Sequence, residues 1–388
     1  MSTKQIYQKG MIHVSLKGIR VVEIGQVLSA PYAGMILSDL GAEVIKVEKP
    51  GTGDDARTMG PAFRDNASMT FHDVNRGKRS VVIDLKSAEG LQQLFSVLST
   101  ADVLIHNLRP GESDKLGLGA GAITKKFPSL VYCEISAFGH KGPRRLQPGY
   151  EPLLQAFSGL ISMNGSENAP PARMGASIVD QGAAMWSVIG ILTALRTRDH
   201  TGRGGIVNTS LLETALAWAA PRIHGQVNEG RESKRYGTAH PGLVPYQGFD
   251  TLDGPIMICA GNDRLFTKLA GAMGHPEWCE DERFESNRQR LKNREAMVSE
   301  IQKLLSGAPR ALWISRLEAA GVPVAAINTI PEALQEPQVQ EIGILRTVKN
   351  ADFFLTGLPL SFDAVRPEVA GPAPKLGEHT ASILRPIS

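Results

Sequence analysis

Along its first third the chain alternates between two apolar periods. IRVVEIG (19–25) is a short β-branched run, SAPYAGMILSDLG carries apolar residues at helical spacing, and AEVIKVEK is a second β-branched run. Strand, helix, strand at this spacing predicts a βαβ unit with parallel strands and a right-handed crossover. The alternation continues through SVVIDL, a helix over AEGLQQLFSVLSTA, and the strands DVLIHNL and LVYCEISAFG. The pattern predicts an α/β domain, Rossmann-like with a parallel sheet.

From Gly159 to Arg196 a Gly-rich segment leads into a long apolar helix, QGAAMWSVIGILTALRTR, which ends at the turn DHTGRG. IVNTSLLETALAWAA then starts as a strand and becomes a helix. NEGRESKRYG is polar and charged and reads as a linker. YQGFDTLDGPIMICAG predicts a hairpin turning at Asp253-Gly254, followed by amphipathic helices to about Ala320. The expected organisation is a loose tail over 1–15, a large domain over 16–225, a smaller α+β domain over 226–325, and a segment over 326–388 returning to the large domain. No internal repeat is visible.

A chain of 388 residues is long enough for two cores. Its 42 basic and 39 acidic side chains leave a charge of +3, with none of the basic runs that nucleic acid requires. A small anionic ligand needs only a few cations lining one cleft. The three cysteines, Cys133, Cys259 and Cys279, fit no metal or disulfide spacing and suit a reducing cytosol. The polar start lacks the apolar core of a signal peptide, and no apolar run reaches the ~20 residues of a membrane span. A cytoplasmic protein with no membrane, metal or nucleic-acid partner is expected.

GxSxG, GxxxxGK[ST], HExxH and a GxGxxG after the first strand are all missing. The candidate chemistry lies at strand ends, where open α/β sheets bind ligands. Gly25 and Gln26 follow the first strand, Lys46 and Lys49 the second, Lys86 the third, and Asn107, Arg109 and Lys115 the fourth. Three lysines just beyond parallel strands can meet the phosphates of a nucleotide-like ligand; they can equally be solvated. Asp180, in ARMGASIVDQGAAMW, stands at the start of the long helix, either as its N-cap or as a reactive carboxylate. Helix amides and dipole there favour the ionised form, and Gly182 lets a substrate approach. Glu151, in PGYEPLLQAFSGL, either caps a helix or positions a reactive group.

These segments together resemble the class III CoA-transferases of the CaiB/BaiF type, the family of formyl-CoA transferase, carnitine CoA-transferase and the α-methylacyl-CoA racemases. The resemblance runs from LKGIRVVEIGQVLSAPYAGMILSDLGAEVIKVEKPGTGD through NRGKRSVVIDLKSAEG, DVLIHNLRPG, GYEPLLQAFSG and TGRGGIVNTSLLETA to LGEHTASIL. It implies an interlocked homodimer acting on acyl-CoA and small carboxylic acids, with coenzyme A a substrate and no tightly bound cofactor. It maps the catalytic pair onto Asp180 and Glu151, and CoA contacts onto Gln26, Lys49, Lys86, Asn107, Leu108 and Lys115. Lys49 and Lys115 stand where some members carry arginine, which keeps the charge but gives up planar stacking.

The family's route is covalent: Asp180 attacks the donor thioester to give a mixed anhydride, and CoA thiolate returns to form an aspartyl thioester that an incoming acid takes over. Oxyanion stabilisation by amides around Gly182 or a facing loop is expected. The glycine-rich loop of formyl-CoA transferase is absent. GTAHPGLVPYQGFDTLDG stands in its place and resembles members that use other acids, including the succinyl-CoA:dicarboxylate type. Arg173, Arg235 and His240 are candidates for meeting a distal carboxylate. Two rival readings are a 2-methylacyl-CoA racemase and a non-catalytic CoA-binding module. A racemase needs a base on each face of the α-carbon, and racemases place histidine where this chain has Tyr150, a poor base at neutral pH.

Overall fold

The computed structural model describes residues 16–349 and 351–384, so the expected tail over 1–15 lies outside the described residues. Two compact units are present. The larger comprises the chain up to Ile161, Arg173–Gly230, and the chain from Gly343 onward; the smaller comprises Ser162–Ala172 and Arg231–Ile342.

The larger unit is built on six parallel strands: β1 (Arg20–Ile24), β2 (Glu43–Glu48), β3 (Arg79–Val82), β4 (Val103–His106), β5 (Val131–Ser136) and β6 (Ile206–Ser210). Their order across the sheet is 3-2-1-4-5-6, that of a doubly wound dinucleotide-binding fold. The central strands are buried on both faces, which is why they read as unbroken β-branched runs. Helix α1 (Ser29–Asp39) makes the first crossover. Helix α2 (Ala88–Leu98) starts where Ser87 accepts a hydrogen bond from the Gly90 amide at 3.0 Å.

Two helices frame the far side of the site. α3 (Glu151–Phe157) is short. α4 (Ile178–Thr201) is closed by Gly202 at φ 71°, a left-handed conformation that glycine adopts without steric cost. Among the described residues α4 is the one helix long and apolar enough, by length and composition, to cross a membrane. The sequence expectation of no such run stopped at the charges of Arg196, Arg198 and Asp199, which the helix includes. α4 packs on α1, β5 and β6 and on α5 (Leu211–Trp218). Its buried stripe of Ala183, Ala184, Val188, Ile191 and Leu195 is core-facing.

The smaller unit has a three-stranded antiparallel sheet: β7 (Tyr246–Asp250), β8 (Pro255–Cys259) and β9 (Val324–Ala326). The β7–β8 hairpin turns at Asp253-Gly254. Phe249, Ile256, Ile258, Phe266, Ile301 and Leu317 fill its core. The run PVAAINTI closes this sheet, so the chain returns to the larger unit at Gly343 and not at 326. The returning end docks on β3, where Val82 N donates to Thr380 Oγ1 at 3.0 Å and His379 N to Ser80 O at 2.9 Å.

Candidate active site

The strand order reverses between β1 and β4, and open α/β sheets leave a ligand crevice at that point. A cavity of about 500 Å³ occupies it, walled by the segments that follow β1 to β5 and by the starts of α3 and α4. Asn107, after β4, bridges the crevice to the turn after β1. Its Oδ1 accepts from Gln26 N and its Nδ2 donates to Gln26 O, both at 2.9 Å.

That turn rests on buried charge. Val27 adopts φ 67°, uncommon for a β-branched residue, and is held there by its amide donating to Asp54 Oδ1 at 2.9 Å. Asp54 Oδ2 pairs with Lys46 at 2.8 Å; Lys46 also pairs with Glu23 at 2.8 Å and donates to Gly25 O at 3.0 Å. Glu23 Oε2 pairs with Lys78 at 2.6 Å, and Lys78 donates to Pro31 O at 2.8 Å and to Asn75 Oδ1 at 2.9 Å. All four charged side chains are fully withdrawn from water. Burial works against the Lys46 ammonium, but the charges of Glu23 and Asp54 outweigh it and hold its pKa above the ordinary value. Lys46 is therefore not a strand-end cation for a ligand. It faces into the protein because its side chain alternates inward on β2, while Lys49, beyond the strand, does not.

Of the expected ligand-contacting residues, Gln26, Lys49, Lys86, Asn107 and Leu108 line the cavity. Lys49 is already paired with Asp55, also on the wall, at 2.6 Å. Lys86 is exposed at the mouth. Lys115 ends the short helix Glu112–Lys115, exposed and off the wall; Arg109 lines the cavity from the preceding turn. Lys49, Lys86 and Arg109 thus line a cleft whose volume lies within the ordinary range of ~300–1,000 Å³ for small-molecule sites.

Asp180 and Glu151 meet at the inner end. Asp180 is not the N-cap of α4, a position held by Ser177; it lies in the first turn, partly buried. Burial, followed by the negative charge of Glu151, raises its pKa from the ordinary 3.8 to about 7, opposed by a hydrogen bond from Ser29. Glu151 is the first residue of α3 and only 3% exposed. Its Oε1 accepts from Gln155 Nε2 at 2.5 Å and from Val179 N at 3.5 Å, while its Oε2 is buried without a hydrogen-bond partner. Gln155 Oε1 accepts from Met174 N at 2.9 Å, which ties the irregular segment entering α4 to α3. Gly182 has a packing role. A Cβ there would lie 2.8 Å from Thr214 Cγ2 and Trp218 Nε1, so the glycine lets α4 seat on α5 and does not open a path for substrate.

Arg235, in the smaller unit, donates to the carbonyls of Ser166, Glu167 and Ala169 at 3.1, 2.9 and 3.1 Å, a structural clamp that removes it from the candidates for a substrate carboxylate. Ser29 and Asp54 went unread in the sequence. A serine opening a helix and an aspartate in a Gly-rich turn carry no local mark of such partners.

A nucleotide-sized cleft at the switch point, rimmed by cations and closed by two carboxylates, suits an enzyme of acyl-CoA chemistry. The family model described as CoA-transferase family III matches residues 16–380. The chain belongs to CoA-transferase family III and is a CoA-transferase acting on acyl-CoA and carboxylic acids. It is 37% identical to an acetyl-CoA:oxalate CoA-transferase of Acetobacter aceti, over 94% of each chain. It is 33% identical to a succinyl-CoA:glutarate CoA-transferase of Mus musculus, over 96% of this chain and 86% of that protein. A crystal structure of a CAIB/BAIF family protein from Brucella suis, 34% identical, superposes with a TM-score of 0.86 over 96% of this chain and 98% of the other.

Proposed function

We propose that the enzyme moves coenzyme A between small dicarboxylic acids through covalent acyl-aspartyl intermediates on Asp180. The observation that carries this reading is a partly buried carboxylate lining the cavity, with no ion-paired cation among the described residues, beside a second carboxylate. A paired carboxylate is a poor nucleophile; one facing only another negative charge gains by attacking a carbonyl. Asp180 attacks the thioester carbon and the C–S bond breaks, giving a mixed anhydride and CoA thiolate. The thiolate then attacks the aspartyl carbonyl and expels the donor acid. An incoming carboxylate displaces the thiolate to form a second anhydride, and the thiolate takes the new acyl group. Each species keeps the thioester's free energy from water. Lys49, Lys86 and Arg109 are proposed to meet the CoA phosphates, with Gln26, Asn107 and Leu108 along the cofactor; Lys115 belongs to this set only if it moves to the cleft.

Relatives named for succinyl-CoA with glutarate and for acetyl-CoA with oxalate favour dicarboxylates. A distal carboxylate needs a charged partner, and Arg173 is the cation this reading favours: it precedes Met174, whose amide is held by Gln155 beside Glu151. Met185, Trp186 and Ile189 on α4 and Trp218 on α5 are exposed, an apolar face that supports a homodimer, interlocked as the family resemblance implies. The unpaired cysteines suit work in the cytoplasm. The test is a matrix of CoA donors and acceptor acids read by mass spectrometry of the thioesters formed. Dicarboxylate pairs should exchange fastest; equal use of butyryl-CoA and succinyl-CoA would remove the dicarboxylate reading and leave the transferase intact.

A further inference from the structure

We infer that Gln155 is a positioning residue for Glu151: its amide holds one Glu151 oxygen, ties it to the segment that carries the chain into α4, and leaves the other oxygen for the reaction. This rests on the proposed acylation of Asp180 beside Glu151. Gln155 lies four residues after Glu151 on α3, so the two side chains share a face one turn apart. It is fully buried, and a buried amide must find its partners within the protein. The orientation of that amide follows from what each neighbour can give. The Met174 backbone N–H is only a donor, so the Gln155 atom 2.9 Å from it is the oxygen. The nitrogen therefore faces Glu151 Oε1, 2.5 Å away, and donates to it. Val179 N donates to the same oxygen at 3.5 Å.

Glu151 Oε1 thus takes two N–H groups, one from α3 and one from the first turn of α4, the second belonging to the residue next to Asp180. Oε2 has no hydrogen-bond partner among the described residues. An oxygen that already accepts two N–H groups is the poorer place for a proton, so a proton on Glu151 sits on Oε2. Glu151 and Asp180 line the same cavity. With Oε1 anchored, the two oxygens cannot exchange, and Oε2 keeps one place relative to the start of α4. Without Gln155 the carboxyl group turns about χ3, a torsion that is broad in glutamate, and Oε2 loses its place. The bond to Met174 also sets the path of residues 173–177, so one amide fixes both the carboxyl group and the approach to α4.

The test is a double-mutant cycle on wild type, Gln155→Met, Glu151→Ala and the double variant, with Asp180→Asn as control. Gln155→Met keeps the length of the side chain and removes both hydrogen bonds. Gln155→Glu keeps the acceptor for Met174 N and removes only the donor, and it takes over the cycle if the first variant does not fold by circular dichroism. Single-turnover acylation by a saturating acyl-CoA is read by mass spectrometry, and CoA affinity by calorimetry. Gln155→Met should slow acylation about tenfold with CoA affinity changed less than about twofold, and should slow what acylation remains in Glu151→Ala less than about twofold. Should Glu151→Ala leave no measurable acylation, the split between rate and affinity decides alone. A merely structural role would slow both backgrounds by the same factor, or weaken CoA binding as much as it slows the rate. Either result, failure of both Gln155 variants to fold, or acylation at the wild-type rate in Glu151→Ala overturns the role of Gln155. Acylation persisting in Asp180→Asn overturns the nucleophile instead.

Discussion

Two groups of buried titratable side chains in the larger unit have opposite characters. Beneath the turn after β1, two carboxylates, Glu23 and Asp54, and two amines, Lys46 and Lys78, are paired at 2.6 to 2.8 Å, although burial pulls the pKa of the Lys78 amine down to about 7. At the inner end of the cavity, Asp180 and Glu151 are both carboxyl groups, and Glu151 Oε2 has no hydrogen-bond partner among the described residues. The first group is charge-paired, Asp54 Oδ2 through Lys46 at 2.8 Å, and Asp54 Oδ1 holds Val27 in a left-handed conformation. The second is unsatisfied, and its free energy is available to whatever neutralises it. Compensated charge builds the scaffold; uncompensated charge is what the proposed chemistry draws on.

The largest effect expected breaks the reactive group. Asp180→Asn keeps shape and hydrogen bonding but cannot form an anhydride, so transfer should fall by about a thousandfold or more in a steady-state thioester assay while the protein stays folded. Breaking the scaffold does the reverse. Lys46→Met strands Asp54 in the interior, leaves Glu23 with Lys78 as its remaining cation, and should cost ~3–5 kcal/mol in urea unfolding, with activity lost through the fold.

Glu151→Gln sharpens the contrast by removing one negative charge and keeping volume. The acidic limb of the rate profile, expected near pH 7, should move down, because burial alone then raises the Asp180 pKa. The smallest effect concerns stability. With Asp180 raised from 3.8 to about 7, the folded chain holds a proton that the unfolded chain releases between those values, and the stability this confers at low pH is lost as pH rises toward 7. Asp180→Asn escapes that loss, so its melting temperature relative to wild type should climb from pH 4 to pH 8. A constant difference would mean that Asp180 ionises as an exposed carboxylate.

Much of this arrangement is legible in the chain. The βαβ alternation predicts the parallel sheet because buried strands must be β-branched runs and crossover helices must be amphipathic. Asp180 is visible as a carboxylate entering an apolar helix. What local reading misses is partnership across the fold. Lys46 looks like Lys49, three residues on, yet one is sealed between Glu23 and Asp54 and the other stands exposed beside Asp55. Ser29 looks like any helix-opening serine until Asn107, 78 residues away, fixes its hydroxyl. Gly182 looks like a substrate entry until Trp218 is placed against it. The run 324–326 pairs with β8 by sheet register, which no composition shift announces.

The nucleophile is tested most directly by incubating the enzyme with an acyl-CoA donor and no acceptor, quenching, digesting and mapping the adduct by mass spectrometry. The adduct should fall on the peptide containing Asp180, be released by hydroxylamine, and be absent from Asp180→Asn. An adduct on Cys133, Cys259 or Cys279, or full turnover with none on Asp180, would contradict a carboxylate relay.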